Sequence, residues 1–133
     1  MATTETAPGQ AILVVEDLEE NLFVVQSFLE ELGFCVDTAS NGRIAIEKAA
    51  VVAYAAILMD IEMPVVDGLD ATKAIRRNEV EAGSSPVPIM GMTGHSSEGI
   101  KRLCTLAGMT GFISKPIRFA ELEDRIRHLI AAA

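Results

Sequence analysis

The stretch Ala55-Ala56-Ile57-Leu58-Met59-Asp60-Ile61-Glu62-Met63-Pro64-Val65-Val66-Asp67-Gly68 sets the fold of this chain. Its opening run, Ala55 to Met59, is apolar without polar alternation, as a strand covered on both faces should be. A carboxylate, Asp60, closes the run, and Asp67-Gly68 then offers a side-chain cap for a helix reaching about Asn78. An apolar strand, an acidic strand end and a capped helix form one unit of an α/β fold.

The same unit repeats on either side. Ala11 to Val15 and Val87 to Met92 are further apolar runs, and Phe34 to Thr38 and Gly111 to Ser114 supply two shorter strands. Between them lie stripes of helical period. Leu22, Val25, Leu29 and Leu32 form one, closed by Gly33; Ile100, Leu103, Cys104 and Ala107 form another, closed by Gly108; Phe119, Leu122, Ile126 and Leu129 form a third. A weaker helix follows Asn41-Gly42 through Ile44 to Ala50. Glu79 to Pro86, with Gly83-Ser84-Ser85-Pro86, reads as an exposed loop. Five strands alternating with five helices, joined by right-handed crossovers, predict a doubly wound parallel sheet covered on both faces.

Composition narrows the function. The chain has 133 residues, is 50% hydrophobic and carries a formal charge of -8. That is enough apolar material for one self-sufficient domain, expected over residues 11–133, with the polar residues 1–10 as a disordered tail. The acidity argues against direct nucleic-acid binding, because such a surface repels phosphates. No apolar run reaches the ~18 residues a membrane span needs, and no basic-then-apolar leader is present. Cys35 and Cys104 lack metal spacing and sit among apolar neighbours, so two reduced core thiols and a cytoplasmic compartment are expected.

In an open parallel sheet, ligands collect outside the carboxyl ends of the strands. The residues expected there are Glu16-Asp17 after the first strand, Asp60 at the third, Thr93-Gly94 at the fourth and Lys115-Pro116 at the fifth. Three converging carboxylates repel one another unless a cation lies among them or one takes a proton. Oxygen-only ligands point to Mg²⁺, which binds through one or two carboxylates and leaves positions for phosphate oxygens. Asp17 also reads as a helix N-cap with Glu20 as its capping-box partner, and both roles can coexist.

Glu16-Asp17, the segment Met59 to Gly68, Met92-Thr93-Gly94 and Ser114-Lys115-Pro116 together resemble the receiver domains of response regulators, the CheY-like family, over about Ala11 to Ile130. The resemblance implies strand order 2-1-3-4-5. It implies that Asp60 accepts a phosphoryl group from a histidine kinase or histidine phosphotransfer protein. Asp17 then binds the metal directly, Glu16 acts through a metal-bound water, and the Glu62 carbonyl completes the set. Lys115, joined to Pro116 by a cis peptide, neutralises one phosphoryl oxygen, while the Thr93 hydroxyl and Gly94 N–H hold the others. Phe112 matches the aromatic that moves with Thr93, altering the surface of the fourth helix, fifth strand and fifth helix for an output partner; a core role in both states is the alternative. Glu62 and His95 match positions that tune the phosphoryl lifetime. Gly94 stands where alanine is more usual. A small Mg²⁺-dependent phosphohydrolase with an aspartyl intermediate is the rival reading, weakened because that type carries its nucleophile after the first strand. A flavin module lacks a phosphate-cradling glycine loop here, and a pseudo-receiver would lack one of the acidic residues or the lysine.

Overall fold

The computed structural model describes residues 11–63, 66–95 and 97–131. The expected tail, residues 1–10, lies outside them. In chain order the elements are β1 (Ala11–Val15), α1 (Glu19–Glu31), β2 (Cys35–Ala39), α2 (Gly42–Val51), β3 (Ala56–Asp60), α3 (Gly68–Ala82), β4 (Ile89–Thr93), α4 (Glu98–Ala107), β5 (Gly111–Ser114) and α5 (Phe119–Ala131). All strand pairs are parallel, in the order β2-β1-β3-β4-β5. The chain therefore steps outward from β1 to β2, then returns past β1 to build the other side. That reversal opens a crevice beyond the ends of β1 and β3.

The alternation of side chains along each strand divides the interior in two. Leu13, Val15, Ile57 and Met59 pack with Ala45 of α2, Ala71 and Ile75 of α3 and Cys104 of α4. Ile12, Val14, Ala56 and Leu58 face the other way, onto Val25 and Leu29 of α1 and Leu122 and Ile126 of α5. With both faces covered, the central strands have no polar alternation to show, and β3 is buried at every position.

Helix ends follow local chemistry. The Asp67 carboxylate accepts from Asp70 N–H at 2.8 Å, and the Asn41 side chain accepts from Ile44 N–H at 2.9 Å. The loop expected from Glu79 begins later, because α3 runs on through Glu79-Val80-Glu81-Ala82. It stops at Gly83, whose φ of 69° only glycine adopts freely. Glu79 stays helical because its carboxylate has work there, accepting from Arg76 Nη1 and Val87 N–H at 2.8 Å each.

Two other expectations are corrected. No Asp17–Glu20 capping box forms: the residue before α1 is Leu18, with no side-chain cap, since Asp17 turns to the crevice instead. Cys35 is exposed, not in the core, because it opens β2, a strand at the sheet edge; Cys104 is buried, and both thiols are free. Among the described residues, no helix is long and apolar enough to cross a membrane.

Candidate functional site

Strand register brings the acidic residues together. Val15 pairs with Met59, so the residues that follow, Glu16 and Asp60, emerge side by side at the crevice. Asp60 pairs with Met92, and Thr93 with Ser114, which sets Thr93 and Lys115 at the same edge. Oxygens of Glu16, Asp17 and Asp60 lie within 4.8 Å of one another. Glu16 and Asp60 are each only 1% exposed, while Asp17 stands at the mouth. Gly68 is what lets the next helix start this close. A Cβ there would come within 2.2 Å of the Asp60 carbonyl oxygen.

The Lys115 ammonium is 3.2 Å from both Glu16 Oε1 and Asp60 Oδ1, and the peptide bond to Pro116 is cis. Burial alone would pull this ammonium's pKa down, but the charges of Asp60 and Glu16 outweigh it and hold the group above its usual range. Asp60 is also raised: burial and the neighbouring Glu16 carboxyl push it up to about 6, against the pull of Lys115 and of the Glu62 N–H. Glu16 Oε2 accepts from Leu18 N–H at 3.3 Å, whereas Oε1 is buried with an ion-pair contact but no hydrogen bond.

Three carboxylates facing one ammonium leave negative charge in excess, and one buried carboxylate oxygen has no hydrogen-bond donor. An all-oxygen donor set of this kind fits a hard divalent cation, whose charge would offset the burial and the neighbouring Glu16 that raise Asp60.

Around that cluster five residues close a ring. Asp60 Oδ1 accepts from Glu62 N–H at 3.1 Å. The Glu62 carboxylate reaches His95 Nδ1 at 2.8 Å. The His95 backbone takes up the Thr93 hydroxyl, which accepts from His95 N–H at 2.9 Å and donates to its carbonyl at 3.1 Å. Lys115 N–H donates to the Thr93 carbonyl at 2.7 Å, and the Lys115 ammonium returns to Asp60. Sequence reading named every member of this ring but did not foresee that Glu62 and His95 touch, because they come from different loops. The Thr93 hydroxyl, expected to hold a phosphoryl oxygen once one is present, here donates to and accepts from the His95 backbone. Gly94 is exposed, and a Cβ added to it would meet nothing within 4 Å among the described residues. The Phe112 ring is partly buried beneath the Lys101 ammonium, 5.3 Å from its centre, and its carbonyl accepts from Arg125 at 2.6 Å.

Sequence reading missed the surface beside the site. Leu18, Phe23 and Val24 are exposed, by 52%, 70% and 41%. Of these, Val24 lines a cavity of about 150 Å³ together with Glu16, Asn21, Lys115 and Pro116. The signal was present, since Phe23 and Val24 fall outside the buried α1 stripe. A larger depression of about 920 Å³, among Val51, Tyr54, Glu79 and Pro86, lies at the opposite end of the sheet, away from the acidic cluster.

Comparison with known proteins gives one family. The family model for the response regulator receiver domain matches residues 12–127. Hybrid signal transduction histidine kinase M of Dictyostelium discoideum is 37% identical over 121 residues, 90% of this chain but 5% of that protein. The sensor protein GacS of Pseudomonas syringae pv. syringae is 37% identical over 111 residues, 84% of this chain and 12% of that protein. The chain thus spans a small fraction of the curated relatives it matches. Among solved structures, the receiver domain of sensor histidine kinase PA1611 from Pseudomonas aeruginosa PAO1, with a magnesium ion coordinated in its active site cleft, superposes with a TM-score of 0.81 at 36% identity, covering 92% of this chain and 98% of that one. A chain of the co-crystal of the Saccharomyces cerevisiae histidine phosphotransfer signaling protein Ypd1 with the receiver domain of Ssk1 superposes with a TM-score of 0.88 at 28% identity, covering 96% and 92%.

Proposed function

The chain belongs to the response regulator receiver domains of two-component and phosphorelay signalling, and on that premise we propose that it takes a phosphoryl group from a partner's phosphohistidine onto Asp60. The reading rests on the cluster of Glu16, Asp17 and Asp60 oxygens within 4.8 Å, with the Lys115 ammonium 3.2 Å from Asp60.

Asp17, Asp60 and the Glu62 carbonyl would hold Mg²⁺, with Glu16 acting through a water; when bound, the ion would supply positive charge to the carboxylates and to the phosphoryl oxygens. Asp60 attacks as the carboxylate, a form that its burial and the neighbouring Glu16 oppose and the Lys115 ammonium favours. An Asp60 carboxylate oxygen then forms a bond to phosphorus as the phosphorus–nitrogen bond breaks and the imidazole leaves with its electron pair. Lys115 steadies one phosphoryl oxygen, and the Thr93 hydroxyl and Gly94 N–H take the others. The protein's share is positioning and charge, the usual division in phosphoryl transfer. Glu62 and His95, at the mouth, tune how long the product lasts against water, so the chain assists both its own phosphorylation and its dephosphorylation.

The exposed apolar side chains of Leu18, Phe23 and Val24, with Val24 and Pro116 lining one cavity, suit the phosphohistidine donor, a histidine kinase or phosphotransfer protein on the cytoplasmic side. The new charge draws Thr93 inward, Phe112 follows, and the face of α4, β5 and α5 changes for an output partner. The relatives that are hybrid kinases favour a receiver of such a kinase over a single-domain regulator. The position of Asp60 at the end of β3, within a receiver-family match, does not favour the phosphohydrolase.

Incubation with Mg²⁺ and an acyl phosphate, followed by intact mass, tests the central claim. One phosphoryl adduct is expected on the parent protein and none on Asp60→Asn. An adduct that persists in Asp60→Asn, or a parent that takes none from either an acyl phosphate or a phosphohistidine protein, would falsify it.

A further inference from the structure

The ring of contacts around the site assigns a role to a side chain that touches neither the acidic cluster nor Thr93. The Thr93 hydroxyl has one proton to give, and it gives it to the His95 carbonyl while accepting from the His95 N–H. To donate to a phosphoryl oxygen it must first let go of that carbonyl. How readily it does so depends on how firmly the His95 backbone is held where it is. The His95 ring is fixed by the Glu62 carboxylate at 2.8 Å, and since an ionised carboxylate only accepts, Nδ1 is the donor. Glu62 is fixed in turn, because its N–H is bonded to Asp60 Oδ1 at 3.1 Å.

We propose that the Glu62 side chain is a positioning residue for Thr93: through His95 it restrains the threonine hydroxyl in the conformation bonded to the His95 backbone. The restraint opposes the inward movement of Thr93 and is released when the Glu62–His95 contact opens. It goes deeper than the proposed effect of these residues on phosphoryl lifetime and rests on the receiver reading, because it acts before any phosphoryl group arrives. Its strength is bounded by exposure. The His95 and Glu62 side chains are 75% and 48% exposed, and pairs so open to water shift an equilibrium by roughly two- to five-fold. The pair is thus a fine adjustment of the switch rather than a block on it.

The restraint makes two side chains act as one, which sets its test. Threonine selectively labelled for NMR gives the Thr93 χ1 populations from three-bond couplings in the unphosphorylated protein, with Mg²⁺ present and pH held constant. Glu62→Ala and His95→Ala are each expected to raise the minor Thr93 rotamer roughly two- to five-fold, and the double variant is expected to raise it no further than either alone. Glu62→Gln keeps an acceptor for Nδ1 and should retain the parent populations, which a purely charge-based effect of Glu62 would not allow. Phosphorylation rates with an acyl phosphate should rise in the same proportion in Glu62→Ala, His95→Ala and the double variant. Thr93 populations unmoved in Glu62→Ala, or changes that add in the double variant, overturn the restraint. Because the rotamer is read without phosphorylation, these outcomes are separate from failure of Asp60 to accept a phosphoryl group, which overturns the receiver reading and appears in the mass of the parent protein.

Discussion

Replacing Asp60 with asparagine should make the metal-free protein more stable at neutral pH, although it removes the residue proposed to carry the chemistry. Asp60 is 1% exposed, and burial together with Glu16 lifts its carboxyl from 3.8 to about 6. A folded-state value above the unfolded one means that the folded protein binds the proton more tightly. Stability from this group is therefore present below the unfolded value and is lost as pH rises through the folded value, a window of about 4 to 6. At about 1.4 kcal/mol for each tenfold change in proton affinity, the ionised carboxylate costs the fold up to about 3 kcal/mol. Asparagine keeps the shape and carries no charge, so Asp60→Asn should gain about 1–3 kcal/mol at pH 7.5 in chelator. Part of the gain is offset because Lys115 loses one of its two partners. In thermal unfolding this is roughly 3–10 °C. The gap should shrink toward zero near pH 4, where the parent carboxyl is protonated. It should also shrink in saturating Mg²⁺, which stabilises the parent by binding. A variant no more stable than the parent at pH 7.5 in chelator, or a gap unchanged between pH 5 and 8, would refute the account of the cluster as charges held together against repulsion.

Four further substitutions test other parts of the molecule. Gly68→Ala puts a Cβ 2.2 Å from the Asp60 carbonyl, where backbone must move; a loss of at least ~2 kcal/mol in urea unfolding is expected, with weakened Mg²⁺ binding by calorimetry. Gly94→Ala, whose Cβ meets nothing among the described residues, should stay within ~0.5 kcal/mol of the parent in the same assay. Lys115→Ala should slow phosphorylation on the order of 10²-fold in a stopped-flow assay with an acyl phosphate, since one fixed charge at the phosphoryl position is lost. Tyr54→Phe removes the hydroxyl that donates to Asp37 Oδ2 at 2.6 Å and should cost about 1 kcal/mol. Burial pushes the Asp37 carboxyl up, but bonds from Tyr54, Lys48 and Thr38 outweigh it and hold it below 3.8. The Tyr54→Phe deficit is therefore full at neutral pH and narrows as pH falls through that lowered value.

The unpatterned apolar runs ending at Val15 and Met59 were legible as interior strands because burial on both faces leaves no polar alternation, and the side-chain cap at Asp67 was legible because capping is local chemistry. The capped end of α3 was misplaced, since Glu79 resembles a loop residue until Arg76 and the Val87 N–H are seen to bind it. Cys35 looked like core because its neighbours are apolar, and only the sheet order puts it on an edge. The acidic residues and Lys115 were identifiable from their places at strand ends, and parallel register does the rest by carrying equivalent ends to one rim. Which way a side chain turns within that rim was beyond such reading. Strand periodicity fixes the position of Thr93, but its hydroxyl bonds to the backbone of a loop whose path depends on packing. Glu62 and His95 likewise meet only because two separate loops fold toward each other across the crevice. Sequence on its own determines what is periodic and local, the elements and the kinds of group at their ends, while contacts between loops exist only once the sheet has brought those loops within a hydrogen bond's length.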